Sequence, residues 1–219
     1  MQYFGCFNSH IAGAKIGRFF NNAREKTFKF VFFYPLIFKL FIISRLYMNK
    51  IILVGYMGSG KSTVGKLLAQ QLQIPFYDLD WLIEQSEQKS IPTIFELHGE
   101  IYFRKVEHLV LNKFIASHSE YVLSLGGGTP CYANNHEILQ LADVTSIYLK
   151  TAISELVTRL KNSSNVRPLL LDKNEAELTE YVAKHLFDRS YYYHQSKQTI
   201  LTDGKTTSDV VKAIISALP

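Results

Sequence analysis

One stretch constrains the fold of this chain more than any other. Residues 55–62 read Gly-Tyr-Met-Gly-Ser-Gly-Lys-Ser and fit the pattern G-x-x-x-x-G-K-S. The apolar run Ile51–Val54 precedes the stretch, and a segment rich in helix-forming residues, 63–69, follows it. A glycine-rich loop between a strand and a helix is the setting in which this pattern binds phosphate groups. The sequence therefore predicts a phosphate-binding loop, rather than a turn with a lysine by chance.

The residue types of this loop predict separate roles. Glycines allow backbone N–H groups to turn toward a ligand, and the N-terminus of the next helix adds partial positive charge at the same point. Lys61 is expected to reach the outer phosphates of a nucleotide. The hydroxyl of Ser62 is expected to hold Mg²⁺.

The positive charge of the chain lies in its first 47 residues. These residues carry a formal charge of +6, and the whole chain carries +5, so residues 48–219 carry −1. A body close to neutral lacks the basic surface of a nucleic-acid-binding domain, so no nucleic-acid partner is expected. The two cysteines, Cys6 and Cys131, lie far apart in sequence. They predict neither a disulfide framework nor a metal cluster, and a reducing cytoplasm fits.

Residues 1–47 also differ in composition, since they hold 13 of the 29 aromatic residues. The apolar stretch 30–43 is short for a membrane span, which needs roughly 20 residues, and no small-residue cleavage site follows it. Three interpretations stay open: a membrane-associating anchor, an organelle-targeting leader, or upstream sequence that the cell does not translate. We expect Met48 to be the start, with 1–47 a leader without defined structure and 48–219 one domain.

From residue 49 onward, strand-like and helix-like segments alternate, which is typical of a parallel sheet covered by helices. Strands are predicted at 50–54, 74–78, 121–125, 144–149 and 199–202. Helices are predicted at 61–73, from Trp81 with a break near 90–92, at 101–116, 153–160 and 175–193, and at 208–218 with Ser208 as N-cap. The polar segment 161–173 is predicted to be a mobile loop.

Asp78 and Asp80 stand at the end of the second predicted strand. In open α/β sheets, ligands bind outside the carboxyl ends of the strands. If the strand continues, the two side chains point to opposite sides, so one suits Mg²⁺ and the other a substrate hydroxyl. The alternative is a polar strand end at which Asp80 caps the helix that begins at Trp81.

Three consecutive glycines, Gly126, Gly127 and Gly128, directly follow an apolar strand. Because a turn needs only one glycine, three favour close approach of a ligand to bare backbone N–H groups over a plain flexible turn. Arg104 and Arg189 lie on separate predicted helices. Two arginines that converge suit a carboxylate, which accepts bidentate bonds. If they do not converge, each is an ordinary solvated or salt-bridged side chain.

Arg167 precedes Pro168 in the predicted mobile loop. It suits a lid that closes over phosphates and excludes water, and the alternative is an exposed arginine. His98, His108 and His194 are isolated and show no metal-ligand spacing. No metal site other than that of Mg²⁺ is therefore predicted.

Taken together, these motifs resemble those of shikimate kinase, over residues 49–218. The segments that carry the resemblance are 55–62, Asp-Leu-Asp at 78–80, Phe-Arg at 103–104, Ser-Leu-Gly-Gly-Gly-Thr-Pro at 124–130, Val-Arg-Pro-Leu-Leu at 166–170, and Arg189 with Tyr193. Many kinases share the loop alone, whereas the other motifs in this order are specific. The resemblance implies a three-layer α/β/α P-loop kinase with a five-stranded parallel sheet in the order 2-3-1-4-5.

The resemblance also implies the reaction, which transfers the γ-phosphate of ATP to the 3-hydroxyl of shikimate, in chorismate and aromatic amino-acid biosynthesis. It implies that Asp80 binds shikimate hydroxyls and takes the proton, and that Asp78 supports Mg²⁺ through water. It implies that Arg104 and Arg189 together bind the carboxylate of the substrate. A loose match also places Arg159 near the adenine. The implied catalytic residues are Lys61, Asp80 and Arg167. The implied ATP-binding residues are Gly58, Ser59, Gly60, Lys61, Ser62, Thr63 and Arg167. The implied substrate-binding residues are Asp80, Arg104, Gly126, Gly127, Gly128 and Arg189.

The chain departs from the family pattern at Tyr191 and Tyr192, which replace the usual Pro-Leu, and in its leader. The alternatives are a gluconate or nucleoside-monophosphate kinase of the same fold, or a non-catalytic nucleotide-binding module. Gluconate is also a hydroxylated carboxylate, so the triple glycine is the feature that separates it from shikimate. The expected partners are small molecules, and the expected state is a cytoplasmic monomer with no membrane contact by the domain.

Removal of residues 1–47 is expected to leave shikimate-dependent release of ADP unchanged, since the predicted site residues all lie at or beyond Gly58. A coupled ADP-release assay on the full chain and on a chain that starts at Met48 measures this. A shortened protein that is soluble but inactive would contradict the interpretation of the leader.

Overall fold

The structure, a computed structural model, describes residues 50–162 and 174–218. The predicted leader, the start at Met48 and the predicted lid residue Arg167 lie outside the described residues, so what the sequence predicts for them stays a prediction. Within the described residues, no helix combines the length and the apolar character that a membrane span requires.

The described chain forms one five-stranded parallel sheet in the order β2-β3-β1-β4-β5, which confirms the predicted order. The strands are β1 Lys50–Val54, β2 Phe76–Asp78, β3 Tyr121–Ser124, β4 Thr145–Lys150 and β5 Gln198–Leu201. The helices are α1 Lys61–Leu72, α2 Leu79–Glu87, α3 Ile91–Ser117, α4 Ile153–Lys161, α5 Glu175–Tyr193 and α6 Thr207–Ala217. Two short 3₁₀ helices, Thr129–Cys131 and Asn135–Gln140, follow β3.

The central strand β1 separates two apolar layers because its side chains alternate between the faces of the sheet. Ile51 and Leu53 pack in a cluster with residues of α1 and α6. Ile52 and Val54 pack in the other cluster, with residues of α3, α4 and α5. The four side chains are at most 1% exposed, as expected for a parallel strand that helices cover on both faces.

The strand order determines where the functional loops lie. β1 lies between β3 and β4, and β2 lies beside β3, all parallel. The carboxyl ends of β1, β2 and β3 are therefore neighbours, although they are far apart in sequence. The phosphate loop, the aspartate pair and the triple glycine follow these three ends in turn.

Several element boundaries differ from those predicted. Helix α2 begins at Leu79 rather than Trp81, and its N-cap is Asp78 rather than Asp80. Helix α6 begins at Thr207, and Thr206 caps it in a capping box with Asp209, so the prediction of Ser208 as N-cap was wrong. Residues 91–117, here α3, consist of two helical segments that meet at a kink, where Gly99 has non-helical backbone (φ 74°, ψ 179°). The predicted helix 101–116 is therefore a segment of its own, as the sequence indicated.

The Tyr121 hydroxyl provides a test of packing in this sheet. It is buried and has no hydrogen-bond partner among the described residues. Because a buried hydroxyl without a partner adds nothing to stability, Tyr121→Phe is expected to leave the free energy of unfolding unchanged or to raise it by up to ~1 kcal/mol. Urea unfolding followed by circular dichroism measures the change.

Ser146 supplies the contrast, since its buried hydroxyl donates to the Leu139 carbonyl (2.7 Å) and accepts from the Lys197 N–H (2.9 Å). Ser146→Ala is expected to lower the free energy of unfolding by about 1–3 kcal/mol, because both partners lose their bond. If Tyr121→Phe destabilises the protein as much as Ser146→Ala, the Tyr121 hydroxyl has a partner such as buried water.

Candidate active site

The phosphate loop ends at a helix whose N-terminus is open to an anion. Gly58 (φ 83°) and Gly60 (φ 91°) adopt left-handed backbone conformations that favour glycine. Gly60 is the N-cap of α1 and has no side chain to accept a hydrogen bond from the first N–H groups of this helix. Its first turn holds no acidic residue. The helix dipole and these N–H groups therefore face the loop without a counter-charge from the helix itself.

Lys61 folds back over the same loop. Its Nζ donates to the carbonyls of Gly55 (2.9 Å) and Tyr56 (3.0 Å). Both carbonyls belong to the loop, so the ammonium group lies against the backbone of the loop itself. A positive charge at that point suits the outer phosphates of a nucleotide.

The predicted metal residues lie in contact. The Ser62 hydroxyl donates to Oδ2 of Asp78 (2.8 Å), and Oδ1 of Asp78 accepts from the N–H of Asp80 (3.1 Å). The chain turns into helix α2 directly after Asp78. The strand therefore does not continue past Asp78, and the condition under which the two acids would point to opposite sides is not met. Asp78 faces the phosphate loop, and Asp80 lies one position inside the first turn of α2.

In the triple glycine, limited space rather than backbone conformation restricts Gly126 and Gly128, whereas a Cβ on Gly127 would make only ordinary contacts. None of its three members has a positive φ. A Cβ on Gly126 would lie 2.9 Å from Oγ1 of Thr129 and 3.1 Å from Oδ1 of Asp80, and a Cβ on Gly128 would lie 3.0 Å from Nη2 of Arg104. Contacts below about 3.4 Å are closer than Cβ atoms normally make. Functional side chains thus occupy the space that a larger residue would need.

One cavity of about 250 Å³ joins these groups. Its walls come from the loops after β1, β2 and β3. Its lining residues include Lys61, Ser62, Asp78, Asp80, Gly126 and Gly127. The cavity therefore connects the phosphate loop to the aspartate pair and the glycines, as the strand order requires.

Arg104 is held by a buried carboxylate. Its Nη1 donates to Oε2 of Glu107 (2.9 Å), which is 1% exposed, and its Nε and Nη2 donate to Oε1 of Glu100 (3.3 Å each). The Tyr132 ring lies 4.1 Å from the guanidinium carbon. Burial acts to lower the pKa of Arg104, but the Glu107 carboxylate outweighs it, so the pKa is raised. The guanidinium stays charged in a partly buried place.

Glu107 also reaches the glycine loop. Its Oε1 accepts the Thr129 hydroxyl proton at 2.6 Å, and both side chains are buried. Asn135 donates to the Thr129 carbonyl at 3.0 Å. Helix α3 and the loop after β3 are therefore joined by buried hydrogen bonds next to Arg104.

Arg189 approaches the same loop from helix α5. Its guanidinium carbon lies 5.6 Å from the centroid of the Tyr56 ring. Its Nη1 lies 3.7 Å from the position that a Cβ on Gly127 would take. Burial raises the pKa of the Cys131 thiol to about 11, while Arg189 and Arg104 both oppose that shift. The two arginines thus converge on one loop, which the sequence left open.

A second cavity, of about 220 Å³, lies beside the phosphate loop. Arg159 lines it and donates from Nη1 to the Gly58 carbonyl (3.3 Å). The cavity also includes Ser59, Gly60, Thr63, Thr202 and Lys205. This position lies beside the phosphate loop, and the expected nearness of Arg159 to a nucleotide base stays a prediction.

Sequence reasoning missed two residues of the site, Glu107 and Tyr132. Glu107 was detectable, because an acid three positions after Arg104 in a helix faces the same side. Tyr132 carries no such signal, since its stacking on Arg104 depends on the path of the loop after β3.

Comparison with known proteins agrees with this geometry. The family model described as Shikimate kinase matches residues 57–219. A shikimate kinase of Flavobacterium psychrophilum is 53% identical over 76% of this chain and 97% of its own length.

Two solved structures are also similar. The shikimate kinase of Bacteroides thetaiotaomicron has a TM-score of 0.72 and 32% identity, and covers 78% of this chain and 98% of its own. That of Acinetobacter baumannii, solved in complex with shikimate, has a TM-score of 0.69 and 35% identity, and covers 79% of this chain and 95% of its own. The chain is therefore a member of the shikimate kinase family.

Proposed function

We propose that this chain transfers the γ-phosphate of ATP to the 3-hydroxyl of shikimate, giving shikimate 3-phosphate and ADP in the pathway to chorismate and the aromatic amino acids. One observation carries the proposal. Beyond the phosphate loop, the cavity is lined by Asp80, Gly126 and Gly127, and Arg104 and Arg189 approach the same glycine loop from outside this lining. A protein that only binds ATP has no use for these further groups, which form the acceptor side.

The donor side acts by positioning and by neutralising charge. The N–H groups of the loop and the start of α1 bind the phosphate oxygens. Lys61, which now contacts two loop carbonyls, turns to the β- and γ-phosphates when ATP is bound. Because phosphoryl transfer spreads negative charge over the equatorial oxygens, this positive charge lowers the barrier.

Ser62 would hold Mg²⁺ directly, and Asp78 would support the ion through water. A hydroxyl and a carboxylate oxygen at 2.8 Å from one another form a donor set of hard oxygens. Kinase sites commonly bind Mg²⁺ through one or two such protein groups together with water and substrate phosphates. When bound, the ion neutralises charge on the β- and γ-phosphates.

The acceptor side binds a hydroxylated carboxylate. Arg104 and Arg189 bind the carboxylate of shikimate, and the glycine loop lets its ring lie against bare backbone. Glu100 is the exposed partner of Arg104, so the substrate carboxylate can replace it, whereas the buried Glu107 stays in place. Asp80 accepts a hydrogen bond from the attacking hydroxyl.

In the transfer step, Asp80 takes the proton that the attacking hydroxyl loses. The oxygen of the 3-hydroxyl forms a bond to the γ-phosphorus while the bond to the bridging oxygen of ADP breaks. The hydroxyl proton passes to the carboxylate of Asp80. Arg167 is proposed to close over the phosphates.

The enzyme is also proposed to be cytoplasmic and monomeric.

A coupled ADP-release assay with shikimate, gluconate and nucleoside monophosphates side by side tests the function. Turnover is expected with shikimate and not with the others, because only the shikimate ring fits against the glycine backbone between two arginines. Turnover with gluconate or a nucleotide, and none with shikimate, would overturn the proposal.

Asp80→Asn is expected to lower kcat by at least about 10²-fold, since the amide cannot take the proton. ATP binding, measured by titration calorimetry, is expected to change little because Asp80 lies on the acceptor side. Asp143→Asn is the matched control, since Asp143 is an exposed acid paired with Lys50 at the other end of β1. Equal loss of ATP binding and turnover in Asp80→Asn would show that its role is misassigned.

A further inference from the structure

Tyr193 is the last residue of helix α5 and is completely buried. Its hydroxyl donates to the carbonyl of Gly127 at 2.5 Å. The bond joins residues 66 positions apart and links a helix end to the middle of the glycine loop. Tyrosine hydroxyls buried at such places are normally retained for the bond they make.

Arg189 lies one helical turn before Tyr193. Tyr193 and Arg189 are four residues apart in one helix, so they face the same side. Burial raises the pKa of the Tyr193 phenol, and the positive charge of Arg189 acts against that shift. The Tyr193 hydroxyl donates to Gly127, and Nη1 of Arg189 lies 3.7 Å from the Cβ position of Gly127. The three groups form one compact set.

The ring of Tyr193 is fixed in place by the sheet. It packs against Tyr148 of β4 with ring centroids 5.2 Å apart. Burial raises the pKa of the Tyr193 phenol well above its ordinary value. The hydroxyl therefore keeps its proton, and donates to Gly127, at neutral pH.

The arrangement mirrors the one on the other side of the loop. Glu107 joins Arg104 to Thr129 at one part of the loop, and Tyr193 holds Gly127 next to Arg189 at another. Gly127 has no side chain of its own to hold its backbone in place. On each side, one buried polar side chain fixes the part of the loop that lies beside an arginine.

We propose that Tyr193 is a positioning residue that sets the distance between Arg189 and the Gly127 backbone, and so holds both in register for the acceptor. The inference rests on the proposed function and adds a residue to which no role has been given. Tyr193 acts through Arg189 and Gly127 and does not touch the reacting atoms.

Tyr193→Phe tests this role, because it keeps the ring and removes only the hydroxyl. The KM for shikimate is expected to rise about tenfold, because one buried hydrogen bond is lost. The KM for ATP is expected to stay unchanged, and kcat is expected to stay within about threefold of the wild-type value. Tyr148→Phe is the matched control. It lies in the same ring pair, and its hydroxyl makes no hydrogen bond within the described part of the chain. It is expected to change neither KM.

Binding measured without turnover separates positioning from chemistry. Trp81 is the one tryptophan of the chain, it is 53% exposed, and it follows Asp80 directly. Its fluorescence is therefore expected to report shikimate binding. The Kd for shikimate should rise with the KM in Tyr193→Phe, while the melting temperature stays within the change seen for Tyr148→Phe.

A double-mutant cycle with Arg189→Lys identifies the route of the effect. If Tyr193 acts through Arg189, Tyr193→Phe weakens shikimate binding much less in the Arg189→Lys background than in the wild-type chain. Equal effects in both backgrounds, or equal increases in the KM for ATP and for shikimate, would overturn the proposal.

The outcomes also separate the two claims. If the wild-type chain does not turn over shikimate, the proposed function fails and the positioning role fails with it. If the wild-type chain turns over shikimate and Tyr193→Phe behaves like Tyr148→Phe, only the positioning role is wrong.

Discussion

The proposed acceptor half of the site depends on one buried charge, the carboxylate of Glu107. Its two oxygens are used in different directions, one toward Arg104 and one toward Thr129. A carboxylate that is 1% exposed is costly unless it is paired and hydrogen-bonded, and here both conditions are met. Because Glu107 contacts both groups, the position of the glycine loop and the position of Arg104 depend on one another.

The donor and acceptor halves are built in different ways. The phosphate loop binds through backbone groups and a helix end, so its geometry is local to residues 55–62. The acceptor side collects side chains from α2, α3 and α5, and only the order of strands β2, β3 and β1 brings their loops together. Such an acceptor site depends on the whole fold, whereas the phosphate loop depends on one strand and one helix.

How far the sequence predicts this structure follows the same division. The strand β1, the loop and the helix α5 were predicted with little error, because periodicity and glycine spacing are local signals. The start of α2 was misplaced because Asp78 caps the helix while it still ends β2. The convergence of Arg104 and Arg189 was not predictable, since it depends on contacts between helices far apart in sequence. The hydrogen bond from Tyr193 to Gly127 was not predictable for the same reason, although the four-residue spacing of Tyr193 from Arg189 is visible in the sequence.

The space around the triple glycine has a consequence for inheritance. Gly→Ala needs a single base change in any glycine codon, and the added methyl at Gly126 or Gly128 would meet Asp80, Thr129 or Arg104 rather than the apolar core. The side chains displaced first would be those proposed to recognise the substrate, and none of them belongs to the two apolar layers. At these two codons a single base change is therefore expected to alter the proposed acceptor site without altering the apolar core.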